Sequence, residues 1–336
     1  MFKVSVIIPV FNTERYLEEC LNSVYAQSLQ DIQIVCVDDG STDRSPEILE
    51  AFTKRTVGAV MIRQENKGAA AARNRGLQEA EGEFVFFLDS DDRIASAGAL
   101  ERLYAAAIKY RTDIAGGSLC RDVNGRLFTE FRGSQKKYVF HREGRQTYKD
   151  YQYDLGFFRF IYRRSFLNLH GICFPSYRNF EDPVFMVRAF QAAGTFAAVP
   201  DLVYIYRDVS GSSSHRMSLG NLLDMTAAME VNMTFAWEHG LTDLYRLTYR
   251  HLNRESRSEL EYALNELDRD GRLYKRLIHI NGNIHWDILS EKEEGLLEPL
   301  QMVYREYRQY EKLRKQPAVR ILRPVIKKLQ IIGKHG

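Results

Sequence analysis

The sequence predicts an α/β fold: a doubly wound, largely parallel sheet followed by a mostly helical extension. Three observations predict it. Four short apolar runs precede Asp89, and none alternates cleanly between apolar and polar residues, as expected for strands covered on both faces. The gaps between them carry helical spacing or helix start signals. Residues 218 to about 316 read as helical, with Leu222, Met225, Ala228 and Met229 at helical spacing.

The elements follow in order. Residues 3–8 form the first run, which ends at Pro9. Asn12 and Thr13 then offer caps for a helix whose Tyr16, Leu17, Cys20, Leu21 and Val24 share one face. The second run, residues 32–37, ends at Asp38-Asp39-Gly40-Ser41. Ser45-Pro46-Glu47 places proline at the first position of the next helix. Residues 57–62 are the third run, and residues 69–80 are rich in strong helix formers. The fourth run, Phe84-Val85-Phe86-Phe87-Leu88, ends in Asp89-Ser90-Asp91-Asp92. The order is βαβαβαβ, which winds a parallel sheet between helices.

That last turn holds three carboxylates within four residues. Such a cluster repels itself unless a cation neutralises it or its members point apart. Open α/β sheets bind ligands at the C-terminal edge of their strands, where a hard divalent cation would suit oxygen ligands. A solvated turn whose Asp and Ser residues cap the next helix explains the same residues. Farther along, Glu181-Asp182-Pro183 reads as a helix start, with acids at the positive end of the helix dipole. The same two acids could serve as catalytic carboxylates.

Five blocks together resemble the family 2 glycosyltransferases. They are Val4-Ser5-Val6-Ile7-Ile8-Pro9-Val10-Phe11-Asn12, then Val37-Asp38-Asp39-Gly40-Ser41-Thr42-Asp43, and Asn66-Lys67-Gly68 running into Ala72-Arg73-Asn74. Asp89-Ser90-Asp91-Asp92 and Phe180-Glu181-Asp182 complete the set. The resemblance covers roughly residues 3–215 and fades beyond. It implies a GT-A fold, a Rossmann-like, doubly wound mixed sheet. It also implies transfer of a sugar from a nucleotide-sugar donor, most simply a UDP-sugar, with inversion at the anomeric carbon. The acceptor would be a saccharide or a lipid-linked saccharide in bacterial polysaccharide synthesis.

By resemblance, Asp91 is a metal ligand, and Asp89 contacts the ribose or completes the metal shell, with Ser90 beside the nucleotide sugar. Asp182 is the general base, with Glu181 positioning it or the acceptor. Asp39 meets the imide edge of uracil, while Pro9, Phe11 and Asn12 form the other side of the nucleotide slot. Lys67 and Arg73 flank a helix opening suited to a diphosphate or a base edge; solvated surface charge is the alternative for both. Residues 204–215 resemble the segment that closes over the donor phosphates. Val209 stands where many relatives carry Arg or His, which leaves His215 as a further candidate metal ligand.

The chemistry asks for the same parts. A divalent cation, Mg or Mn for oxygen ligands, would stabilise the departing diphosphate. The acceptor hydroxyl must lose a proton as it attacks, so a separate carboxylate must serve as base. A sugar nucleotidyltransferase would need a Gly-rich basic loop after the first strand, where Pro9-Val10-Phe11-Asn12 stands. A dehydrogenase would need G-x-G-x-x-G there. A catalytically silent sugar-nucleotide-binding or scaffold subunit remains the alternative from another class.

Hydrophobic content of 45% in 336 residues supports a sizeable core. The expected division is residues 1–215 as the transferase domain, with 1–120 on the nucleotide-sugar side and 121–215 on the acceptor side. Residues 216–336 are then a helical extension. Four scattered cysteines without paired spacing suit a reducing compartment. Neither a signal peptide nor a spanning helix is expected, since the chain enters a strand at once and no apolar run approaches ~18 residues. Eight basic residues and no acid lie from Lys312 onward, leaving 39 basic against 44 acidic residues before it. Within this tail, 312–336, Val319, Leu322, Ile326 and Leu329 share a helical face beside Arg320, Arg323 and Lys327. The pattern predicts an amphipathic membrane-surface helix, interrupted at Pro324. The protein is therefore expected in the cytoplasm, at the inner face of the plasma membrane, with no nucleic-acid partner.

Overall fold

The computed structural model describes residues 1–177, 179–208 and 218–289. His215 and the basic tail 312–336 lie outside the described residues. The chain divides into two compact units, Met1–Tyr249 and Arg250–Gly336.

In the first unit, β1 (Val4–Val10), α1 (Glu14–Tyr25), β2 (Ile32–Asp38), α2 (Ser45–Arg55), β3 (Ala59–Arg63), α3 (Ala69–Glu79) and β4 (Phe84–Phe87) follow the predicted alternation. Then come β5 (Arg93–Ile94), α4 (Ala99–Tyr110), β6 (Ile114–Val123), β7 (Arg126–Phe128), β8 (Gly144–Thr147) and α5 (Tyr148–Tyr151). They are followed by β9 (Phe160–Arg163), α6 (Arg164–Leu169), α7 (Glu181–Ala193), β10 (Thr195–Arg207), α8 (Leu219–Glu238) and α9 (Thr242–Arg250). In the second unit, α10 (Arg257–Glu266) and α11 (Arg272–Gly282) are the described α-helices.

The sheet runs β3-β2-β1-β4-β9-β6-β10-β5, with β7 on β6 and β8 on β10. β1 pairs in parallel with both β2 and β4, and β2 with β3. β9 lies antiparallel between β4 and β6, and β6 pairs in parallel with β10. The sheet is therefore mixed, as the GT-A resemblance implied.

Chain order reverses at β1: β2 and β3 build outward on one side, and β4 returns on the other. The crevice beyond β1 and β4 is thus the switch point where open α/β sheets take ligands. Thr13 and Ser90, each just past one of these strands, meet there through a 3.0 Å hydroxyl–hydroxyl hydrogen bond.

Packing fixes α3 over this crevice. A Cβ at Gly76 would lie 2.3 Å from Ile7 Cγ2, so only glycine lets the helix press this closely on β1. The first two turns of α3, which carry Arg73, are held against the strand ends in consequence. No described helix is long and apolar enough to cross a membrane.

Candidate active site

The three acids after β4 are not equivalent. Asp92 N–H closes the turn on Asp89 O at 3.0 Å. The buried Asp92 carboxylate accepts from the Tyr204 hydroxyl and from Arg207 N–H, each at 2.7 Å. The Tyr204 hydroxyl in turn accepts from Asp89 N–H at 3.2 Å. Arg207 Nε donates to Asp91 O at 2.9 Å. Asp92 is therefore an internal anchor that ties the turn to β10. Both its oxygens are occupied, so it is poorly placed to serve as a ligand.

Asp91 is partly exposed. Burial and then the charge of Asp89 push its pKa up to about 6. A cation would relieve both effects. Among the described residues, no three His, Cys, Asp or Glu side chains converge as a ready metal shell. Asp89 and Asp91 nevertheless suit Mg or Mn, which is commonly held by one or two carboxylates with substrate phosphate and water filling the rest.

Arg73 joins this turn to the second acidic element. Its guanidinium is buried, donating from Nη2 to Asp89 Oδ1 at 2.7 Å and from Nη1 to Glu181 Oε1 at 2.6 Å. The rings of Phe157 and Phe174 flank it at 5.0 and 5.4 Å, so aromatic faces as well as two carboxylates stabilise the charge. Burial opposes that charge, but Asp89 and Glu181 outweigh it and raise the Arg73 pKa.

Glu181 and Asp182 occupy the first turn of α7, as a helix start should. Burial, and then Glu181, raise the Asp182 pKa well above the ordinary carboxylate range, against the pull of Arg73. Phe180, immediately before them, has φ 66°. A bulky residue in the left-handed region is strained, and such strain gathers at sites that need a fixed geometry.

The other predicted nucleotide residues lie in β1 or just past the ends of β1, β2 and β3. The buried Asp39 carboxylate accepts from Gln64 Nε2 (2.8 Å) and Lys67 N–H (2.9 Å) on Oδ1, and from Gly68 N–H (2.8 Å) on Oδ2. Lys67 thus reaches Asp39 through its backbone, while its side chain is exposed. Asn12 Oδ1 accepts from Thr42 N–H at 2.8 Å, fixing the loop that presents Phe11, a residue 47% exposed. Pro9 sits within β1, in register with Val37 of β2.

A cavity of about 490 Å³ brings Arg73, Asp89, Glu181 and Asp182 together. Pro9, Phe11, Asn12, Asp39, Lys67, Ser90 and Asp91 are not among its lining residues. Leu119, Arg121, Tyr206 and Asp208 also line it, as do Gln135, Tyr138 and Phe158. Tyr206 and Asp208 fall in the stretch 204–215 that the resemblance assigned to the donor phosphates, but none of these lining residues was named individually from the sequence. Leu119 pairs with Tyr204 and Arg121 with Tyr206 in the β6–β10 register, and strand alternation puts these side chains on one face. That alternation is the signal in the sequence, but it says nothing of which strand lies opposite.

Comparison with known proteins gives consistent findings. Residues 5–170 match the family described as Glycosyl transferase family 2. Glycosyltransferase GlyG of Streptococcus pneumoniae serotype 4 is 33% identical over 220 residues, covering 62% of this chain and 72% of that protein. A poly(ribitol-phosphate) beta-glucosyltransferase of Bacillus spizizenii is 34% identical over 218 residues, covering 61% of this chain but only 32% of that protein. The crystal structure of S. aureus TarS 1–349 in complex with UDP-GlcNAc superposes with a TM-score of 0.68 at 25% identity, covering 90% of this chain and 87% of that one.

Proposed function

This chain belongs to glycosyltransferase family 2, and on that premise we propose that it transfers a sugar from a UDP-sugar, with inversion, to a saccharide or lipid-linked saccharide acceptor. The observation that carries the mechanism is the Asp89–Arg73–Glu181 bridge, which sets Asp182 beside the acidic turn across one cavity.

Asp182 is the base. Its raised pKa keeps it basic enough to take a proton near neutral pH. The acceptor oxygen bonds to the anomeric carbon and gives its proton to Asp182. The bond from that carbon to the diphosphate oxygen breaks, and UDP leaves with the electron pair. Entry opposite the leaving diphosphate inverts the centre. Glu181, held by Arg73, fixes the first turn of α7 and so the position of Asp182. Asp89 and Asp91 would hold Mg or Mn, which supplies charge stabilisation to the leaving diphosphate when bound.

Asp39 supports the choice of uracil. A carboxylate offers about four acceptor positions, and three are filled by Gln64, Lys67 and Gly68. One place on Oδ2 remains, which suits a single imide N–H. Phe11 offers an exposed ring at the mouth of the same slot.

The named substrates of the relatives support a place in polysaccharide synthesis: one acts on poly(ribitol-phosphate) and another structure holds UDP-GlcNAc. The basic tail 312–336 would bring the enzyme to an anionic membrane carrying a lipid-linked acceptor, and its loss should release the protein from anionic vesicles. Calorimetry with a panel of nucleotide sugars, with and without Mn, tests the donor assignment, followed by assay of released UDP. Binding of a UDP-sugar strengthened by Mn is expected. A protein that binds no UDP-sugar, or binds one but never cleaves it, overturns the reading.

A further inference from the structure

The cavity that Asp182 lines also holds charged and aromatic side chains that the transfer reaction does not use. Two guanidiniums line the cavity, Arg73 and Arg121, against four carboxylates, Asp89, Glu181, Asp182 and Asp208. Arg73 is already shared between Asp89 and Glu181. Arg121 on β6 donates to the Asp208 carboxylate just past the end of β10. Asp208 is itself held in place, because its N–H donates to Asp122 O at 2.9 Å and so continues the β6–β10 pairing. Among the described lining residues, every cation therefore has a carboxylate partner.

Beside this pair the wall is aromatic. Phe158 and Tyr206 stack with centroids 5.9 Å apart and ring planes at 19°. Both are partly exposed, and both line the cavity. Phe158 also packs on Tyr204, with centroids 4.3 Å apart, so the wall offers partly exposed aromatic edges and faces beside a neutralised ion pair, which suits the apolar side of a sugar ring, with polar groups left to orient its hydroxyls. It does not suit a phosphodiester, which needs a cation free to pair with it.

We infer that Asp208, by neutralising Arg121, makes this cavity an acceptor subsite that selects an uncharged sugar ring held against the aromatic wall of Phe158 and Tyr206, and rejects a phosphate-bearing acceptor. This rests on the transferase reading above and narrows its acceptor class. It sets the chain apart from the relative named for poly(ribitol-phosphate). Like charges brought together at an interface are strongly disfavoured, so one carboxylate can decide such a choice.

The test is equilibrium binding to the full-length protein in the presence of UDP, read by ligand-observed NMR. The probes are a neutral p-nitrophenyl pyranoside, its 6-phosphate, and a polyol-phosphate oligomer. The wild type should bind the neutral pyranoside in preference. Asp208→Asn should raise the ratio of phosphate-bearing to neutral binding by at least about fivefold, and added salt should reverse the gain. Arg121→Gln should move the ratio the other way, and Asp208→Glu should retain the wild-type preference. Melting curves identify any variant that fails to fold, and the remaining variants still decide the matter. A wild type that prefers either phosphate-bearing probe, or an unchanged ratio in folded Asp208→Asn, overturns the inference. Donor turnover is not needed for this readout, so failure of the UDP-sugar assignment would show separately, in the calorimetry.

Discussion

Arg73 Nη1 lies 2.6 Å from Glu181 Oε1, joining residues 108 positions apart in the chain. The same guanidinium reaches Asp89, so one buried cation links the acidic turn after β4 to the start of α7. Without it, carboxylates from two distant segments would face each other in a poorly solvated space.

Arg73→Met should therefore destabilise the fold. Removing one partner from a buried ion pair costs about 3–5 kcal/mol. Arg73→Lys should fall between, since it keeps the charge but loses the fork that serves two carboxylates. Denaturant unfolding measures this, and a wild-type midpoint for Arg73→Met would refute the bridging role.

Asp91→Asn should have opposite effects on activity and stability. Transfer should fall by at least about a hundredfold, as for other electrostatic catalytic groups. The metal-free protein should become more stable near neutral pH. Burial and Asp89 raise the folded pKa of Asp91 to about 6, so its contribution to stability is full below the unfolded value of ~4 and is lost as pH rises through 6. The variant should lose that part of the pH dependence of melting. Full activity in saturating Mn would sink the ligand assignment.

Asp182→Asn should keep UDP affinity and lose transfer by about a hundred- to ten-thousandfold, the usual loss for a general base. Titration calorimetry and a UDP-release assay separate the two. Lost donor affinity with retained turnover would place Asp182 in the donor site instead.

The pH profile of the wild type follows from the same residue. A base must be deprotonated, and Asp182 has a raised pKa through burial and Glu181. The acid limb of kcat/KM should thus lie well above the ~4 of an ordinary aspartate. A rate that is flat down to that value would assign the base elsewhere.

Gly116→Ala probes the sheet where β9 enters between β4 and β6. An added Cβ would lie 1.9 Å from Phe160 Cδ1. Phe160 is packed against Phe140, Phe190 and Phe196 and has no room to swing aside. Overpacking of this kind costs about 1–3 kcal/mol, and an unchanged melting temperature would show that the strands can part.

The sequence by itself determined the first half of the fold and its acidic motifs. Strands such as Phe84–Phe87 and helices such as Ala69–Glu79 arise from short windows of apolar pattern and helix formers. Pro46 marked the start of α2 for a local reason, its fixed φ. Only the tertiary structure decided what those motifs face. That Asp92 is an anchor depends on Tyr204 and Arg207, more than 110 positions away. The role of Arg73 depends on α7, and that of Arg121 on the end of β10. The insertion of β9 between β4 and β6 brings these segments around one cavity. Strand pairing over such distances is set by register and packing across the whole core, and a short stretch of sequence holds no record of its partner.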